Sequence, residues 1–143
     1  MAYAVVSFTP IVALLLAALA LAEPKKYELG AKLYAEHCAS CHGANLEGQP
    51  NWQSRNPDGT LPAPPHDRTG HTWHHEDNLL FDYVKSGGQA ALEKRGVVNF
   101  KSGMPAFDAL LSDEEIWIVI DFVKSKWGIR EREYQRSVNQ IVK

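Results

Sequence analysis

Cys38-Ala39-Ser40-Cys41-His42 decides how the rest of this chain is organised. A Cys-x-x-Cys-His run reads as the attachment site of a c-type haem. The spacing has a chemical reason: two thiols three positions apart can each add to a vinyl group on one edge of a porphyrin, forming two thioethers. The following imidazole is then held beneath the ring, where a nitrogen can bind the iron. The chain has only 2 Cys, both in the motif, and only 2 Met, one of them the initiator. If a thioether sulfur is the sixth iron ligand, it can only be Met104. The other readings of the motif are a redox dithiol, which wants a βαβ setting, and half a zinc site, which wants more cysteines. The chain supplies neither.

Outward from the motif, 143 residues suit one domain, and a formal net charge of −2 gives no support to a nucleic-acid partner. The first 22 residues carry no charged side chain. Ile11 to Ala22 makes an apolar run, and Ala20-Leu21-Ala22 before Glu23 makes a small-x-small cleavage site, so residues 1–22 read as a signal peptide. No Lys or Arg precedes the run. The alternative is an uncleaved membrane anchor, since residues 2–22 are just long enough to span a bilayer. Lys25 and Lys26 directly after it oppose an anchored domain on the outer side. Either way the domain, residues 23–128, is expected to be exported.

Helical spacing of Leu29, Leu33 and Tyr34 predicts a helix over Lys26 to His37. Gly30 inside it fits either a weak first turn or a second helix crossing close to the backbone. From Gly43 to Thr72 no period holds. Asn56-Pro57-Asp58-Gly59 reads as a turn, and Leu61-Pro62-Ala63-Pro64-Pro65 must be extended. A second helix is expected over His75 to Lys85, with Leu79, Leu80, Tyr83 and Val84 as its apolar face and Gly87-Gly88 ending it. A loop with Val97, Val98 and Phe100 pointing inward should then lead to Gly103-Met104-Pro105. Ser112-Asp113-Glu114-Glu115 is a capping box. It opens the strongest helix, running through Trp127 with little of its circumference polar and therefore mostly buried. Ile129 to Lys143 is charged and sparsely apolar, which predicts a solvated helix extension or a frayed end.

Four of the 6 His crowd into residues 66–75. His66, His71, His74 and His75 read either as a second metal site, for copper by preference, or as a polar loop hydrogen-bonded at a haem edge. Lys94, Arg95 and Lys101 make a possible basic docking rim or a scattered solvated surface.

With these residues laid out, the chain resembles the class I, mono-haem cytochrome c family over residues 27 to 127. The resemblance rests on Gly30 and Tyr34, the Cys38–His42 motif, Trp73 ahead of the second helix, Gly103-Met104-Pro105 and the last helix. It implies a small all-α fold, three main helices packed around one covalently bound haem with long irregular loops. In that family the first and last helices cross at the Gly and the aromatic. His42 and Met104 resemble the proximal and distal ligands, and Trp73 resembles a donor to a haem propionate; the alternative for Trp73 is a plain core Trp. A Pro carbonyl should accept from His42; Pro62, Pro64 and Pro65 are all candidates, and Pro64 is the first choice. The activity implied is a one-electron shuttle in the periplasm between membrane or soluble redox proteins, not an enzyme unless Met104 is labile. A copper-handling role and a subunit of a larger oxidoreductase are the competing readings.

Overall fold

The computed structural model describes residues 10–141, with side chains from residue 23 onward. Among the described residues there is no strand. The helices are α1 (Pro10–His37), α2 (Ala39–His42), α3 (Asp77–Ser86), α4 (Gly88–Glu93), α5 (Asp113–Ser125) and α6 (Ile129–Ile141), with a 3₁₀ turn at Thr72–His74 ahead of α3. Three of these carry the expected frame, so the fold is the small all-α one, with more helix than the periodicity predicted. The leader expected over residues 1–22 lies outside the described side chains. Among the described residues no helix is long and apolar enough to cross a membrane.

The core is built where α1 crosses α5. Ser112 caps α5 and Glu115 reaches back, so the capping box forms in full. Beyond it Ile116, Ile118, Val119, Ile120, Phe122 and Val123 are all buried, which leaves α5 polar on a narrow strip only. Gly30 is where the two helices touch. A Cβ there would stand 2.7 Å from Phe122 Cβ and 2.9 Å from the Ile118 carbonyl oxygen, so only glycine lets the axes come this close. Tyr34 lies one turn on, buried, with its ring 5.5 Å from that of Phe122. Its hydroxyl donates to the Gly43 carbonyl at 3.0 Å, which ties the crossing to the end of the Cys-x-x-Cys-His turn.

Gly87-Gly88 does more than end α3. Gly87 (φ +80°) breaks the helix, and Gly88 starts α4, which the sequence reading had assigned to a loop. The pair is tight against the Met104 segment: a Cβ on Gly87 would sit 2.9 Å from Ala106 N, and one on Gly88 would collide with Ser102 Oγ. After α4 the expected inward valines turn out. Val97 is 41% and Val98 75% exposed, just after Gly96 (φ +76°) turns the chain.

The tail is a helix, and most of it is exposed as a solvated extension would be, but it is anchored. α6 docks back on the 3₁₀ turn, and Gln135 is 2% exposed. Its anchors are polar, which is why apolar periodicity missed it. The Asp77 carboxylate takes hydrogen bonds from Gln135 Nε2 and from Asn139 Nδ2 (3.0 Å), together with an ion pair to Lys124 of α5 at 2.7 Å.

A candidate haem-attachment site

Helix α2 is one turn long, and it is closed by the His42 N–H on the Cys38 carbonyl (2.9 Å) and Gly43 N–H on the Ala39 carbonyl (2.9 Å). One helical turn brings positions i and i+3 to the same face, so Cys38 and Cys41 become neighbours without being joined by a disulfide. Cys38 is half-buried, and that burial pushes its thiol up to about 11; Cys41 is exposed.

His42 is buried, and its Nδ1 lies 2.9 Å from the Pro64 carbonyl oxygen. A carbonyl can only accept, so Nδ1 carries the hydrogen and Nε2 keeps its lone pair, the tautomer a metal-binding imidazole needs. Burial holds the ring's pKa down and the Pro64 carbonyl opposes that in part. Of the three candidate prolines, Pro64 makes the contact.

Two glycines that the sequence reading passed over hold Pro64 there. A Cβ on Gly48 (φ +70°) would run into Pro65 N, and one on Gly70 would run into the Pro65 carbonyl oxygen. Gly48 also donates its N–H to the His42 carbonyl at 2.7 Å. The aperiodic stretch is thus laced by backbone hydrogen bonds, including Gln49 N–H to Ala63 O (2.9 Å) and His66 N–H to Leu46 O (2.8 Å). The available signal was isolated glycines in a run without period, which mark close backbone approach. His66 stacks on His42 with ring centroids 3.9 Å apart, and Trp127 at the end of α5 donates its indole N–H to the His66 carbonyl at 2.8 Å.

Met104 comes from a different part of the chain. It is half-buried, its carbonyl accepts from Gly88 N–H at 3.0 Å, and its own N–H points to Ser102 Oγ at 3.3 Å. Trp73 lies in the 3₁₀ turn with its indole N–H enclosed and without an acceptor; His71 Nδ1 is likewise buried and unpartnered. The Trp73 ring is held edge-on by His74 (3.8 Å) and by Tyr134 of α6 (5.3 Å).

The other histidines are engaged by aromatic rings. His71 stacks on Trp52 at 5.2 Å, and His75 meets His71 edge-on at 5.1 Å. Burial pushes His75 down to about 4 and lowers His71. Among the described residues no group of three or more His, Cys, Asp or Glu side chains is placed to hold a metal ion. The basic rim is largely internally paired. Lys94 and Arg95 both bind Asp82 (3.1 and 2.8 Å), Arg95 also binds Glu76 (3.1 Å), and Lys101 donates to the Asp58 carbonyl (2.8 Å).

These residues fit a covalent haem. Two adjacent thiols, an imidazole already in the metal-binding tautomer and one thioether sulfur make the right donor set. The apolar face of α3 offers Leu79, Leu80, Tyr83 and Val84, none of them fully buried by protein, and the enclosed Trp73 N–H, without an acceptor in the chain, suits an acceptor bound beside it. The family model described as Cytochrome c matches residues 27–127. Among curated proteins and among solved structures, none matches the chain. That family implies a haem c cofactor and haem-based electron transfer, and suggests a carrier rather than an enzyme. With a family match that spans the α1–α5 crossing, the Cys-x-x-Cys-His turn and the Met104 segment, this chain belongs to the cytochrome c family.

Proposed function

We propose that the protein is a one-electron carrier with a single haem c, bound through Cys38 and Cys41 and ligated by His42 and Met104. When bound, the haem supplies a one-electron couple at its iron; potential and access are set by the chain. The observation that carries this reading is His42 Nδ1 at 2.9 Å from the Pro64 carbonyl oxygen, which fixes the tautomer and aims a free nitrogen lone pair away from the carbonyl.

Each residue then has a role. Cys38 and Cys41 hold the porphyrin edge. His42 donates from Nε2, and its hydrogen bond to Pro64 keeps the ring from turning. Met104 provides a thioether, which favours the reduced iron relative to a second imidazole and raises the potential. If His42 and Met104 both held the iron, peroxide or oxygen would find no open position there, which favours shuttling over turnover. The Trp73 N–H would donate to a haem carboxylate. The motif implies export before haem attachment, with the periplasm as the working compartment, residues 1–22 as the leader, and soluble or membrane redox proteins as donor and acceptor.

The test is an optical spectrum of the purified protein in both redox states, with the intact mass. One covalent haem and the weak far-red Met–iron band of the ferric form are expected, and Met104→Ala should abolish that band and lower the midpoint potential. A Met104→Ala variant with an unchanged spectrum and midpoint overturns the ligation. A wild-type ferric protein without the band, turning over peroxide, points to an enzyme.

A further inference from the structure

The carboxyl-terminal helix α6 is fastened to the one segment that carries the enclosed indole. Asp77 opens α3, yet its N-cap residue Glu76 makes no side-chain cap. The cap comes from elsewhere in the chain: Asp77 N–H donates to Asn139 Oδ1 at 2.9 Å, and Asn139 Nδ2 donates back to the Asp77 carboxylate at 3.0 Å. One turn earlier on α6, buried Gln135 donates to the His75 carbonyl at 3.3 Å and to the same carboxylate. One residue before that, Tyr134 stands perpendicular to the Trp73 ring at 5.3 Å and meets His74 at 5.2 Å. α6 therefore fixes the chain just after the 3₁₀ turn by hydrogen bonds and fixes the Trp within it by ring packing. Hydrogen bonds that reciprocate in this way specify a position and not only a burial. An apolar tail would have stabilised the fold without setting where residues 73–77 lie.

We propose that Tyr134, Gln135 and Asn139 are positioning residues for Trp73, and that through it the carboxyl-terminal helix tunes the haem potential. The proposal rests on the haem reading above. An indole N–H donated to a haem carboxylate disperses its negative charge; withdrawing the donor leaves more negative charge near the iron and favours Fe(III). Loosening α6 should therefore act in the same direction as removing the Trp73 donor.

The experiment is an equilibrium redox titration of the holoprotein and four variants: Tyr134→Ala, Tyr134→Phe, Trp73→Phe and the Tyr134→Ala/Trp73→Phe double. Trp73→Phe should lower the equilibrium constant for reduction by about threefold, the scale of one hydrogen bond. Tyr134→Ala should move it the same way by a similar or smaller factor, and Tyr134→Phe should leave it unchanged. The double variant should go no lower than Trp73→Phe alone, because both act through one contact. Gln135→Ala/Asn139→Ala gives the same reading should Tyr134→Ala fail to fold. An unchanged potential in Tyr134→Ala or in Trp73→Phe, or additive shifts in the double, overturns the proposal. Failure of the underlying haem reading is separate, since it would appear in the wild type as a missing Met–iron band or a missing haem mass.

Discussion

The α1–α5 crossing and the irregular segment from Gly43 to His75 are held together by different physics. At the crossing, apolar side chains are removed from water and a glycine lets two helices touch; Ile116, in the first turn of the same α5, is 0% exposed. In the irregular segment little apolar surface is hidden. Backbone hydrogen bonds, prolines, two glycines and polar anchors from α6 fix the position of His42's partner and of Trp73. The first region makes the protein stable, whereas the second makes the site specific. Substitutions should separate the two.

The largest effect is expected on the buried face of α5. Ile116→Ala should destabilise the holoprotein by about 3–4 kcal/mol in denaturant unfolding, the cost of a buried cavity, while leaving the Met–iron band in place. A loss below 1 kcal/mol would mean that the face of α5 is not the core. Next comes Gly70→Ala. Its Cβ would overlap the Pro65 carbonyl oxygen, so the proline loop must shift. Roughly 2 kcal/mol of destabilisation is expected, now with a changed haem potential because His42 loses its fixed acceptor. A Gly70→Ala protein with wild-type stability and potential would break the contrast between the two regions.

A smaller effect should follow pH. The His75 pKa is held down at about 4 against an ordinary 6.5, by burial first and then by His71 and His74. The unfolded chain therefore binds the proton first as pH falls. Stability should be full above about 6.5 and decline toward about 4, by roughly 1–2 kcal/mol after discounting for partial exposure. His75→Phe should flatten that decline in denaturant unfolding at several pH values; an equally steep decline in the variant would clear His75. The smallest effect belongs to Val98. At 75% exposed, Val98→Ser should change stability by no more than about 0.5 kcal/mol, and a larger loss would restore the inward orientation expected from sequence.

Much of the frame was legible because hydrophobic burial writes itself into periodicity. Leu33 and Tyr34 (though not Leu29, which is exposed), then Ile116 to Val123, mark their helices by spacing, and Ser112 with Glu115 marks a helix start. The Cys38–His42 run announces its chemistry because the cofactor imposes the spacing. Polar anchoring leaves no such trace. Nothing in the string Gln135 to Asn139 says that these amides reach Asp77, so the tail read as solvated. Val97 and Val98 read as inward because apolarity alone does not reveal that the chain turns out at Gly96.

By itself, then, the sequence determined that two thiols, an imidazole and a sulfur were present at spacings suited to one haem, with one helix ahead of the thiols and a capped one after the sulfur. Tertiary structure decided which proline meets His42, which glycines hold that proline, and that the last helix folds back on the turn carrying Trp73. The reason is locality. Spacing along a helix is a property of neighbours in sequence, whereas the contacts joining Pro64 to His42 and Asn139 to Asp77 span 22 and 62 positions and exist only once the chain has folded.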